Sequence, residues 1–140
     1  MSRAVALARG WIGTPYVHQA ATKGAGTDCL GLICGVWAEL RGVEAPKVPA
    51  YTQDWSEPQG LETLWEAAQC HLVSKPLAEE APGDILLFRM RAGSVAKHLG
   101  LAGEIGPKAS FIHAYSGHCV FESPLSRPWR SRIVARFEFP

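Results

Sequence analysis

The chain has 140 residues, 47% of them hydrophobic and 19% charged, with five tryptophans and a formal charge of +1. That length suits one domain around one buried core, the apolar content argues for a folded domain over a disordered tail, and near-neutrality removes any general electrostatic case for nucleic acid or an anionic membrane surface. No apolar run reaches the roughly 20 residues a membrane span needs, and the opening "MSRAVALARGWIG" lacks the apolar stretch and cleavage site of a secretion signal, so synthesis in the cytoplasm without ordinary export is expected.

Residues 3 to 10 read as a short helix ended by Gly10. From Asp28, placed to cap a helix N-terminus, Leu30, Ile33, Trp37 and Leu40 recur at helical spacing as far as Gly42, which predicts an amphipathic helix. Gly31 and Gly35 lie one turn apart on it, each costing about 1 kcal/mol relative to alanine, so a close neighbour is expected on that face. Residues 44 to 60 read as a Pro-rich loop holding Tyr51 and Trp55, followed by a second amphipathic helix with Leu61, Leu64, Trp65 and Ala68. Beyond "APGD" the runs "ILLFRM", "HLGLAG", "SFIHAY", "CVFES" and "RIVARFEF" have strand length and end at turn residues. Helices first and strands afterwards predict an α+β fold, N-terminal helices on a mainly antiparallel sheet of five or six strands.

Cys29, Cys34, Cys70 and Cys119 contain no CxxC pair, and free thiols are the expected state. Cys29 stands apart. It takes the first helical position, where unpaired N–H groups and the helix dipole favour negative charge, so its thiol is expected to ionise below the free value of about 8.5. The alternative is a buried structural thiol. His98 opens "HLGLAG" and His113 lies in "SFIHAY". If Glu104 to Pro107 form a four-residue hairpin loop, His98 falls directly opposite His113, with Cβ atoms about 5 Å apart on one face. Leu99, Leu101, Ile112 and Ala114 make the other face apolar. The histidine face carries Gly100, Ala102 and Ala109 beside Phe111, and the cysteine helix is expected to dock there through Gly31 and Gly35, bringing Cys29 to His98.

A cysteine, a histidine and a second polar group that orients the histidine are what nucleophilic thiol catalysis needs. Cys29 would be the nucleophile, His98 the base and His113 the group that holds its ring. A metal site is the competing chemistry: Cys70, His71, His98, His113, His118 and Cys119 offer ligand types. No pair has finger or ribbon spacing and adjacent strand residues point to opposite faces, so neither metal nor cofactor is expected. His18, in "TPYVHQA", suits either the rim of a cleft or a solvated loop.

The run "GTPYVHQAATKGAGTDCLGL" resembles the opening of the NlpC/P60 family of cysteine peptidases. "PGDILLF" resembles that family's P-G-D and the strand after it, "KHLGLAG" its H-V-G-I strand, and "FIHA" the strand with its third catalytic residue, in order over nearly the whole chain. The resemblance implies a papain-like fold, one catalytic domain over residues 1–140, with Cys29 as nucleophile, His98 as general base and acid, and His113 as the orienting member. It places Tyr16 beside the oxyanion, with Asp28 and His18 as further substrate-binding candidates. The implied substrates are peptide stems of peptidoglycan, commonly cut at a D-γ-glutamyl to diamino acid bond. "PYVHQ" with "DCLGL" looks like the small cell-wall peptidases of phage and gene-transfer-agent tails. Phage-like tail or baseplate proteins are therefore the implied partners, with no nucleic acid and no membrane insertion. Two departures stand out: Leu30 replaces the serine usual after the cysteine, and Gln19 and Ala20 replace a glycine pair. Leu30 cannot line an amine subsite, which leaves the bond cut open. No SH3-like or LysM-like wall-binding repeat is recognisable, so targeting is expected from a partner. Two other readings remain, a catalytically silent tail component and a thiol acyltransferase or amidase on another substrate. The intact set of Cys29, His98 and His113 argues against the silent one.

Overall fold

The computed structural model describes residues 2–48, 50–52, 55 and 59–140. Helix α1 spans Arg3–Arg9; Ser2 Oγ accepts from the Val5 N–H and Gly10 ends it. Strands β1 (Ala21–Thr22) and β2 (Gly26–Thr27) pair antiparallel and lead into α2, Cys29–Arg41. Asp28 caps α2 through Oδ1, which accepts from the Gly31 N–H at 2.7 Å, and Gly42 stops it in the left-handed region, φ 73°. Helix α3, Thr63–His71, buries Leu64 and Ala68, but Leu61 precedes it and is exposed. The helix begins only after Glu62, whose carboxylate is tethered to the Ala96 N–H at 2.7 Å.

The remaining elements are β3 (Val73–Lys75), β4 (Ile85–Arg89), β5 (Ala96–Ala102), β6 (Ser110–Ala114), β7 (Val120–Pro124), a one-turn α4 (Arg127–Arg130) and β8 (Ile133–Glu138). The six strands form one antiparallel sheet in the order β3-β8-β4-β5-β6-β7. The run "ILLF" of β4 is apolar throughout because this strand is covered on both faces. Ile85 and Leu87 join Leu99, Leu101 and Ile112 under the N-terminal helices, whereas Leu86 and Phe88 pack with Ala102 and Phe111 beneath Trp129 of α4. Each such large side chain contributes about 2 to 3 kcal/mol through burial. β3 is short and mostly exposed at the sheet edge, which leaves it no hydrophobic alternation to read.

Helix α2 docks on the Leu99 and Leu101 face, not on the histidine face expected from its glycines. Its buried Leu32, Ile33 and Val36 need the apolar side of the sheet. The gap at Gly100 is already taken, since a Cβ there would stand 2.8 Å from the Phe111 ring. Gly31 and Gly35 serve other neighbours: added Cβ atoms would lie 2.0 Å from the Ala20 carbonyl oxygen and 2.1 Å from the Trp11 ring. Close approach is thus to the chain that precedes the helix, and it presses residues 17–20 against the start of α2.

The aspartate of "PGD" anchors the opposite end of the sheet. Asp84 is 2% exposed and accepts from Lys75 Nζ at 2.8 Å, Arg136 Nη1 at 2.8 Å and the Ala81 N–H at 2.9 Å, tying β3 and β8 to the start of β4.

Candidate active site

The β5–β6 hairpin brings the two histidines together by a different register from the expected one. Leu101 pairs with Ile112 and Ala102 with Phe111, so continuing the ladder sets His113 across from Gly100. The connection is longer than four residues: the Gly103 N–H donates to the Ser110 carbonyl at 2.9 Å and a 3-10 turn occupies Gly106–Lys108. A slip of two residues keeps every side chain on its face. The imidazoles therefore meet diagonally over Gly100, which has no side chain to part them, with ring centroids 5.0 Å apart and His98 Nε2 2.8 Å from His113 Nδ1. Pairing between β4 and β5 skips Lys97, since Phe88↔His98 is followed by Arg89↔Ala96, and this bulge adjoins His98.

Both rings are walled in, His98 at 5% and His113 at 0% exposure, by Phe88, Phe111 and Trp129. Burial disfavours the imidazolium and His113 adds repulsion, holding His98 down at about 3; burial and then His118 hold His113 at about 4. In the unfolded chain both bind protons near 6.5. The stability these neutral rings contribute is complete above that pH and is lost as pH falls toward 4 and then 3. Urea unfolding is expected to show a stability at pH 5 lower than at pH 7.5 by about 4 kcal/mol. In a His98→Asn, His113→Asn double variant the difference should shrink below about 1 kcal/mol; an undiminished difference would place its origin elsewhere.

Cys29 and His98 line one cleft with Tyr16, His18, Asp28 and Tyr51. Cys29 is 7% exposed at the head of α2, and its sulfur is faced by the N–H of Leu99, the residue after His98, and by those of Leu30 and Cys29 itself. These donors favour the thiolate, yet burial and then the adjacent Asp28 carboxylate outweigh them and push the thiol up to about 12. This reverses the expected lowering. The carboxylate that caps the helix offsets, beside the sulfur, the field that the helix start supplies. Tyr16 is likewise raised to about 12, by burial and then by Cys29 and Asp28, so it keeps its proton as a donor.

Asp28 is the hub of the cleft's other wall. Besides capping α2, it accepts at Oδ2 from the Gln19 N–H at 2.8 Å and from the Tyr51 hydroxyl. Gln19 Nε2 donates to the Tyr51 carbonyl at 2.7 Å, and His18 Nε2 lies 3.1 Å from the same oxygen. Tyr51 stacks on the buried Trp55 with ring centroids 4.0 Å apart, so this part of the Pro-rich loop folds onto the cleft beside the cysteine. Positions 49, 53, 54 and 56–58 of that loop lie outside the described residues. Gln19 is held at φ 62°, a conformation that favours glycine and costs other residues about 1 kcal/mol.

Sequence reasoning missed Trp129, whose ring covers the histidine pair, and Ser123, whose Oγ lies 2.7 Å from His113 Nε2. Ser123 was within reach of strand alternation, because β7 sets it opposite Phe111 on the histidine face. The four cysteines are unpaired, and among the described residues no three His, Cys, Asp or Glu side chains gather as a metal site would require. No described helix is long and apolar enough to cross a membrane.

The sequence profile of the NlpC/P60 family matches residues 13–137. Among solved structures, the NlpC/p60 domain of the peptidoglycan hydrolase SagA superposes with a TM-score of 0.64 at 23% identity, covering 97% of this chain and 96% of that one. A Staphylococcus aureus protein described as similar to a lipoprotein of the NLP/P60 family gives 0.64 at 22%, covering 96% of this chain and 39% of that one. NlpC1 from Trichomonas vaginalis gives 0.61 at 20%, covering 98% and 42%. The chain thus spans well under half the length of these last two proteins. No curated protein matches it in sequence. Helices packed on a mainly antiparallel six-stranded sheet are the papain-like arrangement these structures share, and with a profile match across most of its length the chain belongs to the NlpC/P60 family.

Proposed function

We propose that this chain is a cysteine peptidase that hydrolyses the peptide stems of peptidoglycan, with Cys29 as nucleophile, His98 as general base and acid, and His113 as the residue that orients His98. The observation that carries this reading is that the first residue of α2 and His98 of β5 line the same cleft, with His98 Nε2 lying 2.8 Å from His113 Nδ1. That bond leaves His98 Nδ1 as the ring nitrogen open to the thiol. Family membership and the likeness to the domain of a peptidoglycan hydrolase favour peptidoglycan as the substrate. The D-γ-glutamyl to diamino acid bond and a place in a phage-like tail, acting at the cell wall, rest on the resemblance of "PYVHQ" and "DCLGL" alone.

Burial pushes the thiol up and the imidazole down, which favours a neutral pair at rest, and the reaction is accordingly read as starting by general-base catalysis. As sulfur attacks the carbonyl carbon, its proton passes to His98 Nδ1, and the oxyanion takes hydrogen bonds from backbone N–H at the helix start and from Tyr16. His98 then gives the proton to the leaving amine as the C–N bond breaks. Water, deprotonated by the same nitrogen, releases the acyl group and restores the thiol.

Incubation of the protein, beside Cys29→Ala, with isolated peptidoglycan and mass spectrometry of released fragments tests this reading and identifies the bond. Fragments are expected from the parent only. None from either protein, with both folded, would overturn the peptidase reading.

A further inference from the structure

We propose that Ser123 is a positioning residue of this site: its hydroxyl oxygen fixes the tautomer of His113 and, through it, keeps His98 Nδ1 bare for the thiol proton. The proposal rests on the reading of Cys29 and His98 as nucleophile and base. Three groups form one line, in which His98 Nε2 lies 2.8 Å from His113 Nδ1, and His113 Nε2 lies 2.7 Å from Ser123 Oγ.

A neutral imidazole carries a single N–H, so the choice at one ring dictates the choice at the next. If His98 Nδ1 is to accept a proton, the ring's hydrogen must sit on Nε2 and point at His113 Nδ1. That nitrogen must then be bare, which puts the His113 hydrogen on Nε2, where only an acceptor can receive it. Ser123 Oγ is that acceptor. Run in the opposite direction, with the serine hydroxyl donating to His113, the same line would put a hydrogen on His98 Nδ1 and block the base.

Burial makes the choice consequential. Little of either ring reaches solvent that could compensate for a wrong hydrogen, since His98 is 5% and His113 0% exposed, and burial disfavours the charged form of both. Ser123 is only partly buried at the far end of the line. Its own proton can be given to solvent while its oxygen accepts from His113, so the solvent-facing end of the line sets its direction. β7 places the residue by ordinary pairing, Phe111 opposite Ser123 and His113 opposite Phe121, on the face that holds both rings. Aromatic side chains surround the imidazoles elsewhere, from Phe88, Phe111, Phe121, Tyr115 and Trp129.

The test reads tautomers directly, without substrate. In 15N-histidine-labelled protein at pH 7.5, long-range 1H–15N correlations are expected to show His98 and His113 both as the Nε2–H form. Ser123→Ala should give a mixture at both rings and lower kcat by about tenfold with KM unchanged, whereas Ser123→Thr, which keeps the hydroxyl, should retain the parental spectra and rate. Should the alanine variant not fold, Ser123→Cys, nearly isosteric with a weak acceptor, serves the same purpose. An Nδ1–H form at either ring of the parent, or unchanged tautomers in Ser123→Ala or Ser123→Cys, overturns the proposal. Because the spectra need no turnover, parental tautomers as expected in a protein without peptidase activity would count against the peptidase reading and not against Ser123.

Discussion

Cys29→Ala is expected to lower peptide hydrolysis by at least about 10⁴-fold while moving the thermal midpoint by no more than about 3 °C. The loss is large because nucleophile and base act as a unit, so removing one forfeits nearly all covalent catalysis and leaves only binding and oxyanion contacts. The fold should survive. Alanine is the best helix former, the cap on α2 comes from Asp28, and the sulfur is a small part of the surrounding core. The parent's thiol carries a companion expectation with its sign set by burial. With the thiol pushed up and the imidazole held down by burial, the neutral pair is the expected state at pH 7. Alkylation of Cys29 by iodoacetamide should therefore stay slow at pH 8.5 and accelerate toward pH 11. The rate must be followed peptide by peptide in a mass spectrometer, because Cys70 and Cys119 are exposed. Fast alkylation independent of pH between 5 and 8 is the signature of a thiolate–imidazolium pair and would overturn the neutral resting state.

Asp84→Ala is expected to cost about 3 to 5 kcal/mol in urea unfolding, a large share of the 5 to 15 kcal/mol that holds a domain together. The substitution leaves Arg136, 3% exposed, and the largely buried Lys75 without the carboxylate that lies 2.8 Å from each. Glu80 and Glu138 offer only longer contacts, Glu80 Oε1 at 3.6 Å from Arg136 Nη2 and Glu138 Oε2 at 3.9 Å from Lys75 Nζ. The Ala81 N–H also loses its acceptor, which frees the "PGD" turn that starts the central strand. Adding Arg136→Met to Asp84→Ala should recover part of the loss, since the penalty is mainly that of an uncompensated buried charge. A cost below about 1 kcal/mol would mean that water reaches these groups and screens them.

Much of the site was legible because its signals are local. Asp28 before an apolar helical stripe reads as a cap, and the residue after it must then stand at the helix head whatever the rest of the chain does. Strand alternation likewise put His98 and His113 on one face, and that survived an error in loop length because a slip of two residues preserves the face. What failed were the inferences about which face of the helix meets which face of the sheet. Gly31 and Gly35 announced a close neighbour but not its identity, and Ala20 and Trp11 proved to be the neighbours in place of the hairpin. The thiol's ionisation was misjudged for the same reason, since helix position is local whereas burial and the facing groups are not.

By itself the sequence determined the helix that starts at Cys29, the strands that carry the histidines, their shared face and the α+β order of elements, all consequences of periodicities of 3.6 and 2 and of capping chemistry within a few residues. Only the tertiary structure decided that α2 lies on the Leu99 and Leu101 face, that Trp129 covers the imidazoles, that Tyr51 occupies Asp28 and that Ser123 ends the histidine line. These are contacts between segments far apart in the chain. They are settled by competition among all apolar faces for one core, and no spacing along the sequence records the outcome of that competition.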